Sequence, residues 1–97
     1  MNNPHYMSGT GNNFVISEYE NPKTDIEIIS IVADSLFDID GVIFVEKIDS
    51  STVKMHYYNN DGSTAELCVN GIRCVAKYAI DNSFVENNEL TVIAPIG

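Results

Sequence analysis

The tract Val42-Ile-Phe-Val-Glu-Lys47, then Asp49-Ser-Ser51, then the alternating Thr52-Val-Lys-Met-His-Tyr-Tyr58, constrains the fold more than any other part of the chain. A short, almost unbroken apolar run reads as a strand in the middle of a sheet, where both faces are covered. The polar triplet reads as a hairpin turn, and the alternation after it as an antiparallel partner with one face on the core.

The flanking segments supply the rest of an α+β unit. Residues 7–14 contain a glycine turn, Gly9-Thr-Gly11, between two extended pieces, and 14–18 have strand composition. The break Asn21-Pro-Lys23 follows. Thr24 and Glu27 form a capping-box pattern, with Asp25 adding negative charge to the first turn. They predict a helix over 24–36 with Ile28, Ile29, Val32 and Leu36 on its apolar face. Residues 59–63 are a strong turn signal. A second helix is predicted over 69–80, with Ile72, Val75, Ala76 and Ala79 facing a sheet, and a last strand over 90–94.

At 97 residues the chain is one small domain with a modest core. Five basic residues against fourteen acidic give a net charge of −9. That argues against a nucleic-acid partner, which needs clustered Lys and Arg. No apolar run approaches the ~20 residues of a membrane span, and the N-terminus has no secretory pattern, so the expected location is the cytoplasm. Cys68 and Cys74, on one helix, would lie ~9 Å apart at ~1.5 Å rise per residue. A disulfide reaches ~7 Å, so both are expected to be thiols. With only His5 and His56 as further soft ligands, no metal site is expected, and both histidines read as structural.

Chemistry concentrates in the run Asn59-Asn-Asp-Gly-Ser-Thr-Ala-Glu-Leu-Cys68-Val-Asn-Gly-Ile-Arg-Cys74. Cys68 falls at the mouth of the second predicted helix. Unpaired backbone N–H groups and the helix dipole favour an anion there. A thiolate is stabilised, so the thiol pKa falls toward neutrality, where a general acid/base works best. The same N–H groups suit a substrate carboxylate. Against this stands the ordinary fate of a cytosolic cysteine, which is a small buried hydrophobe.

This run resembles the signature of the diaminopimelate epimerase family, Asn-Ala-Asp-Gly-Ser, two or three residues, then Met-Cys-Gly-Asn-Gly-x-Arg-Cys. It matches at Asn59, Asp61, Gly62, Ser63, Glu66, Cys68, Asn70, Gly71, Arg73 and Cys74. Gly9-Thr-Gly-Asn-Asn-Phe14 is similar to the family's Gly-x-Gly-Asn-Asp-Phe, and Asp40-Gly-Val-Ile-Phe-Val-Glu46 to its Asp-Gly-containing strand.

The resemblance implies a cofactor-free, two-base amino-acid epimerase of two similar lobes, each with a mostly antiparallel sheet wrapped around a central helix, and this chain carrying a second helix as well. Residues 1–97 would be the N-terminal lobe without its C-terminal counterpart, and inactive alone. Cys68 would be one of two acid/base thiols. Asn12 and Asn59 would hydrogen-bond the amino-acid substrate, and the backbone of Val69 and Asn70 would receive its carboxylate. Asp61, Gly62 and Gly71 would be structural, and Cys74 would pack. Arg73 and Glu66 read as solvated or paired charges. Val69 stands where the family has Gly; its N–H survives, but a β-branched side chain bears on substrate size or geometry.

The second thiol would come from the other lobe, or from a homodimer placing two Cys68 face to face. Competing readings are another isomerase of the fold, of the proline-racemase or phenazine-biosynthesis type, and a non-catalytic binding or interaction remnant. The intact Cys68 motif disfavours the phenazine type.

Overall fold

The computed structural model describes residues 4–9, 11–35, 38–64, 69–85 and 90–94. In chain order these form β1 (His5–Gly9), β2 (Asn12–Glu18), α1 (Asp25–Asp34), β3 (Gly41–Asp49), β4 (Thr52–Asn59), α2 (Val69–Asp81) and β5 (Thr91–Ile93). The strands make one sheet in the order β1-β2-β3-β4-β5, so β3 is central, as its apolar run requires.

The hairpins β1–β2 and β3–β4 are antiparallel, whereas β2–β3 and β4–β5 are parallel. The expected α+β lobe is present, but its sheet is mixed. It is mostly antiparallel by ladder length, not by number of pairings. The reason lies in the connections: α1 joins β2 to β3 and α2 joins β4 to β5, and a helical crossover returns the chain to a parallel neighbour. Because β3 and β4 run in opposite directions, two crossovers of the same hand put their helices on opposite faces.

The α2 face gathers Phe14 and Ile16 of β2, Ile43 and Val45 of β3, and Val53 and Met55 of β4, under Cys74, Val75, Tyr78 and Ala79; Met7 and Val92 extend it to both edge strands. All five strands therefore contribute to the bed around α2, the central helix of the lobe. Cys74 is buried in it, as a packing residue. Tyr78, which the apolar spacing did not single out, is the largest fully buried side chain and meets His5 edge-on at 5.2 Å.

The α1 face is thinner. Val15, Val42 and Phe44 lie under Ile28 and Ile39, with Ile31 and Val32 at the margin. The capping box forms as expected: the Glu27 N–H donates to Thr24 Oγ1 (3.2 Å) and the Thr24 N–H to Glu27 Oε2 (2.9 Å). Ile29 is a correction, since it is 47% exposed. Once Ile28 faces the sheet, the next inward positions are Ile31 and Val32, and Ile29 is turned away by about 100°. The helix ends at Asp34; Leu36 lies outside the described residues. On this same face His56 pairs with Glu46 at 2.8 Å and stacks on Tyr19 at 3.9 Å, consistent with a structural histidine.

The turn after β4 is locked to α1. Gly62 has φ +90°, and a Cβ there would come within 2.7 Å of the Asp25 backbone. Gly62→Ala therefore has to displace either the turn or the start of α1. It is expected to cost about 1–3 kcal/mol, which urea unfolding would measure; an unchanged midpoint would mean that the contact is soft.

Candidate active site

Cys68 lies outside the described residues, and so does Glu66. What the structure gives is the frame around that position. Helix α2 opens at Val69, the residue after Cys68 in the chain. A 13-residue helix presents its first N–H groups without intrahelical acceptors, and Val69 and Asn70 own the first two. Tyr78, near the other end of α2, meets His5 at the start of β1. Helix α2 therefore runs back along the sheet, and its opening lies toward the opposite end, where β1 finishes, β2 and β3 begin and β4 finishes.

Asn12 and Asn59 occupy that end. Asn12 is the first residue of β2 and faces Gly9 across the hairpin. Asn59 is the last residue of β4 and pairs with Gly41. Side chains alternate along a strand, and Phe14 and Ile16, like Val53 and Met55, lie on the α2 face. By the same parity Asn12 and Asn59 are on that face too. With strands ~4.8 Å apart and ~3.3 Å rise per residue, their Cα atoms are roughly 12 Å apart, a span suited to one small amino acid. Two asparagines 47 positions apart in the sequence thus share one face and one sheet end, the end toward which α2 opens.

Between them the sheet face is aromatic, with Phe14 buried and Tyr57 half-buried. Gly41 lies in the row joining Phe14 to Asn59. A side chain at Gly41 would collide with the Tyr57 ring, which packs edge-on to Phe14 at 5.9 Å. Gly41 thus admits Tyr57 across the strand. The sequence marked Gly41 only as part of a motif, and nothing in it pointed to Tyr57.

Asn59 is held by its own turn. Its N–H donates to the Ser63 carbonyl (2.8 Å), and its carbonyl accepts from the Gly62 N–H (3.0 Å). Its side-chain Nδ2 donates to Ser63 Oγ (3.0 Å), and that hydroxyl donates to Asp61 Oδ1 (2.6 Å). An amide has a second N–H and a carbonyl oxygen for a ligand. Asp61 also accepts from the Ser63 N–H (2.9 Å), so its structural role is visible. Asn60 Nδ2 ties the turn to the Ile39 carbonyl (3.2 Å). Beside Asn12, Asn13 makes four further bonds that the sequence did not suggest. Arg73 is exposed on α2 and Gly71 is buried within it. Among the described residues no cluster of His, Cys, Asp and Glu could hold a metal ion, and no helix is long and apolar enough to cross a membrane.

Hydrogen bonds from the Ser63 hydroxyl, and then from its N–H, hold the Asp61 carboxyl below the ordinary carboxylate value. A depressed folded-state pKa stabilises the fold above the unfolded value of about 3.9 and is lost as pH falls through the lower folded value. Unfolding free energy is therefore expected to drop as pH falls below about 4, less steeply in Asp61→Asn. Denaturation at stepped pH checks this, and equal slopes would remove Asp61 from the account.

Comparison with known proteins gives the family. The family model described as diaminopimelate epimerase matches residues 5–97. The chain is 42% identical over 90 residues to diaminopimelate epimerase of Agathobacter rectalis, covering 89% of this chain and 32% of the relative. The corresponding protein of Leptospira biflexa is 38% identical over 92 residues, with the same coverage, and that of Methanocella arvoryzae 45% over 82 residues, covering 78% of this chain and 29% of the relative. The chain spans about a third of the length of the curated relatives it matches. With a matching family model over nearly its whole length, this chain belongs to the diaminopimelate epimerase family.

Proposed function

We propose that this chain is the N-terminal lobe of a two-lobed, cofactor-independent epimerase that inverts the Cα of diaminopimelate, a step toward lysine and cell-wall precursors. The observation that carries the reading is the convergence of Asn12, Asn59 and the opening of α2, next in sequence to Cys68, at one end of one sheet face.

In this mechanism the substrate α-carboxylate docks on the N–H groups of Val69 and Asn70, where the helix dipole stabilises its charge and the charge that develops as Cα is deprotonated. Asn12 and Asn59 hold the amino acid from either side. The Cys68 thiolate takes the Cα proton from one face, and a thiol of the second lobe delivers a proton to the other, so that the centre inverts. The reverse direction exchanges the roles. Closure of the two lobes excludes water from the deprotonated centre. The work belongs in the cytoplasm, where thiols stay reduced. Val69 stands where the family has glycine, and its backbone N–H remains available to the carboxylate.

The test is solvent deuterium incorporation at Cα, with LL-diaminopimelate in deuterium oxide. A chimera in which residues 5–97 replace the matched segment of the Agathobacter rectalis enzyme is expected to exchange and invert, and the isolated chain to do neither. A folded but inert chimera would leave the chain as a binding remnant. Exchange by the isolated chain, rising with concentration, would mean that two copies complete the site.

A further inference from the structure

We propose that Asp40 is a positioning residue that fixes the direction of Asn12, acting through Asn13; the inference rests on the reading of Asn12 as a substrate-binding residue. Asp40 lies just before β3, and its carboxylate Oδ2 accepts the backbone N–H of Asn13 at 2.8 Å. In return the Asp40 N–H donates to the Asn13 carbonyl at 2.9 Å. The Asn13 side chain completes the clasp: Nδ2 donates to the Asp38 carbonyl (3.1 Å), and Oδ1 accepts from the Ser8 hydroxyl (2.7 Å). Three segments, the end of β1, the start of β2 and the stretch before β3, therefore meet on one asparagine.

The clasp sits beyond the first pair of the β2–β3 ladder. The parallel β2–β3 ladder begins at Phe14 and Gly41. Asn12 and Asn13 lie outside that first pair, flanked by edge strand β1, and Gly11 before them is at φ +78°. Such a position pivots readily. The N–H that Asp40 holds belongs to the same planar peptide unit as the Asn12 carbonyl. That plane fixes one side of ψ at Asn12 and the pairing of Asn12 with Gly9 holds the other, so together they set where the Asn12 side chain leaves the strand. A carboxylate makes a stronger acceptor than a neutral carbonyl. Asn13 points to the face opposite Asn12, so the clasp acts from behind and leaves the α2 face clear.

Two variants test this, Asp40→Ala and Asp40→Asn, the second keeping an acceptor oxygen. In the 97-residue chain, amide hydrogen exchange at Asn13 is expected to quicken about tenfold or more in Asp40→Ala relative to Val45 in the core, and to stay near the parent rate in Asp40→Asn. In the chimera, Asp40→Ala is expected to raise KM for diaminopimelate about tenfold with kcat within about twofold, and Asp40→Asn to restore KM. A role confined to stability would instead lower the active fraction, and so kcat, at constant KM. An unchanged Asn13 amide in Asp40→Ala, or an Asp40→Asn variant as impaired as the alanine, overturns the proposal while leaving the enzymatic reading intact. A parent chimera without epimerisation refutes the enzymatic reading and the substrate-directed half of this proposal with it. The exchange result then separates a bare structural clasp from no clasp.

Discussion

Cys68→Ser in the chimera is expected to lower the rate of inversion by about 10²–10⁴-fold, the usual contribution of one positioned acid/base group. The hydroxyl is nearly isosteric, so in the proposed mechanism substrate still binds through the N–H groups of α2 and the two asparagines, and KM should stay within a few-fold. What is lost is a base. Amide groups at a helix opening can bring a thiol toward neutrality, but a serine hydroxyl starts far higher and stays protonated. The loss corresponds to about 3–5 kcal/mol of transition-state stabilisation. A two-base enzyme also leaves a qualitative mark. The surviving thiol on the far side can still remove and return a proton from the epimer that faces it. Deuterium should therefore enter one epimer with retention while inversion nearly stops. Inversion at the parent rate in Cys68→Ser would take Cys68 out of the chemistry.

The frame of this site was legible because its signals are local. The capping box at Thr24 and Glu27, the hairpin around Asp49-Ser-Ser51 and the opening of α2 at Val69 each depend on a handful of neighbouring residues, and each formed where the pattern put it. The family motif named Asn12, Asn59 and Cys68, and the strand register explains why the first two share a face. What escaped was set by distant partners. The outward turn of Ile29 follows from Ile28 being committed inward, which only the sheet decides. The parallel pairings follow from the two helical crossovers. The Asn13–Asp40 clasp joins residues 27 positions apart, and no periodicity encodes it. Ser83 holds φ 59° at the end of α2, where glycine is the usual choice. The Phe84 N–H still reaches the Ala79 carbonyl (2.8 Å) and the Ser83 N–H the Ile80 carbonyl (3.2 Å), so a Schellman termination forms without its sequence mark.

Tyr78→Ala is expected to cost about 3–5 kcal/mol, the range for removing a large buried aromatic side chain. The ring is 1% exposed and lies between His5 on β1 and Phe84 beyond α2, at 5.2 and 5.6 Å. It pins the far end of α2 to the edge of the sheet. A small domain has a total stability of about 5–15 kcal/mol, so the loss takes a large share and should lower Tm by about 15 °C or more. Tyr78→Phe keeps the ring contacts and should cost no more than about 2 kcal/mol. The effect reaches the site through rigid geometry. Helix α2 is held on the sheet by Cys74, Val75, Tyr78 and Ala79, and its opening at Val69 sits at the other end of the same rod. Releasing the Tyr78 end lets the rod tilt, which moves the Val69 and Asn70 amides relative to Asn12 and Asn59. In the chimera at a temperature where the variant is still folded, kcat/KM should therefore fall by more than the unfolded fraction explains, because misplacement by about 1 Å can cost about 10²-fold. A Tyr78→Ala chain with the parent's urea midpoint would contradict the packing, and one destabilised but with full kcat/KM per folded molecule would mean that the opening of α2 is positioned by something other than the seating of this helix.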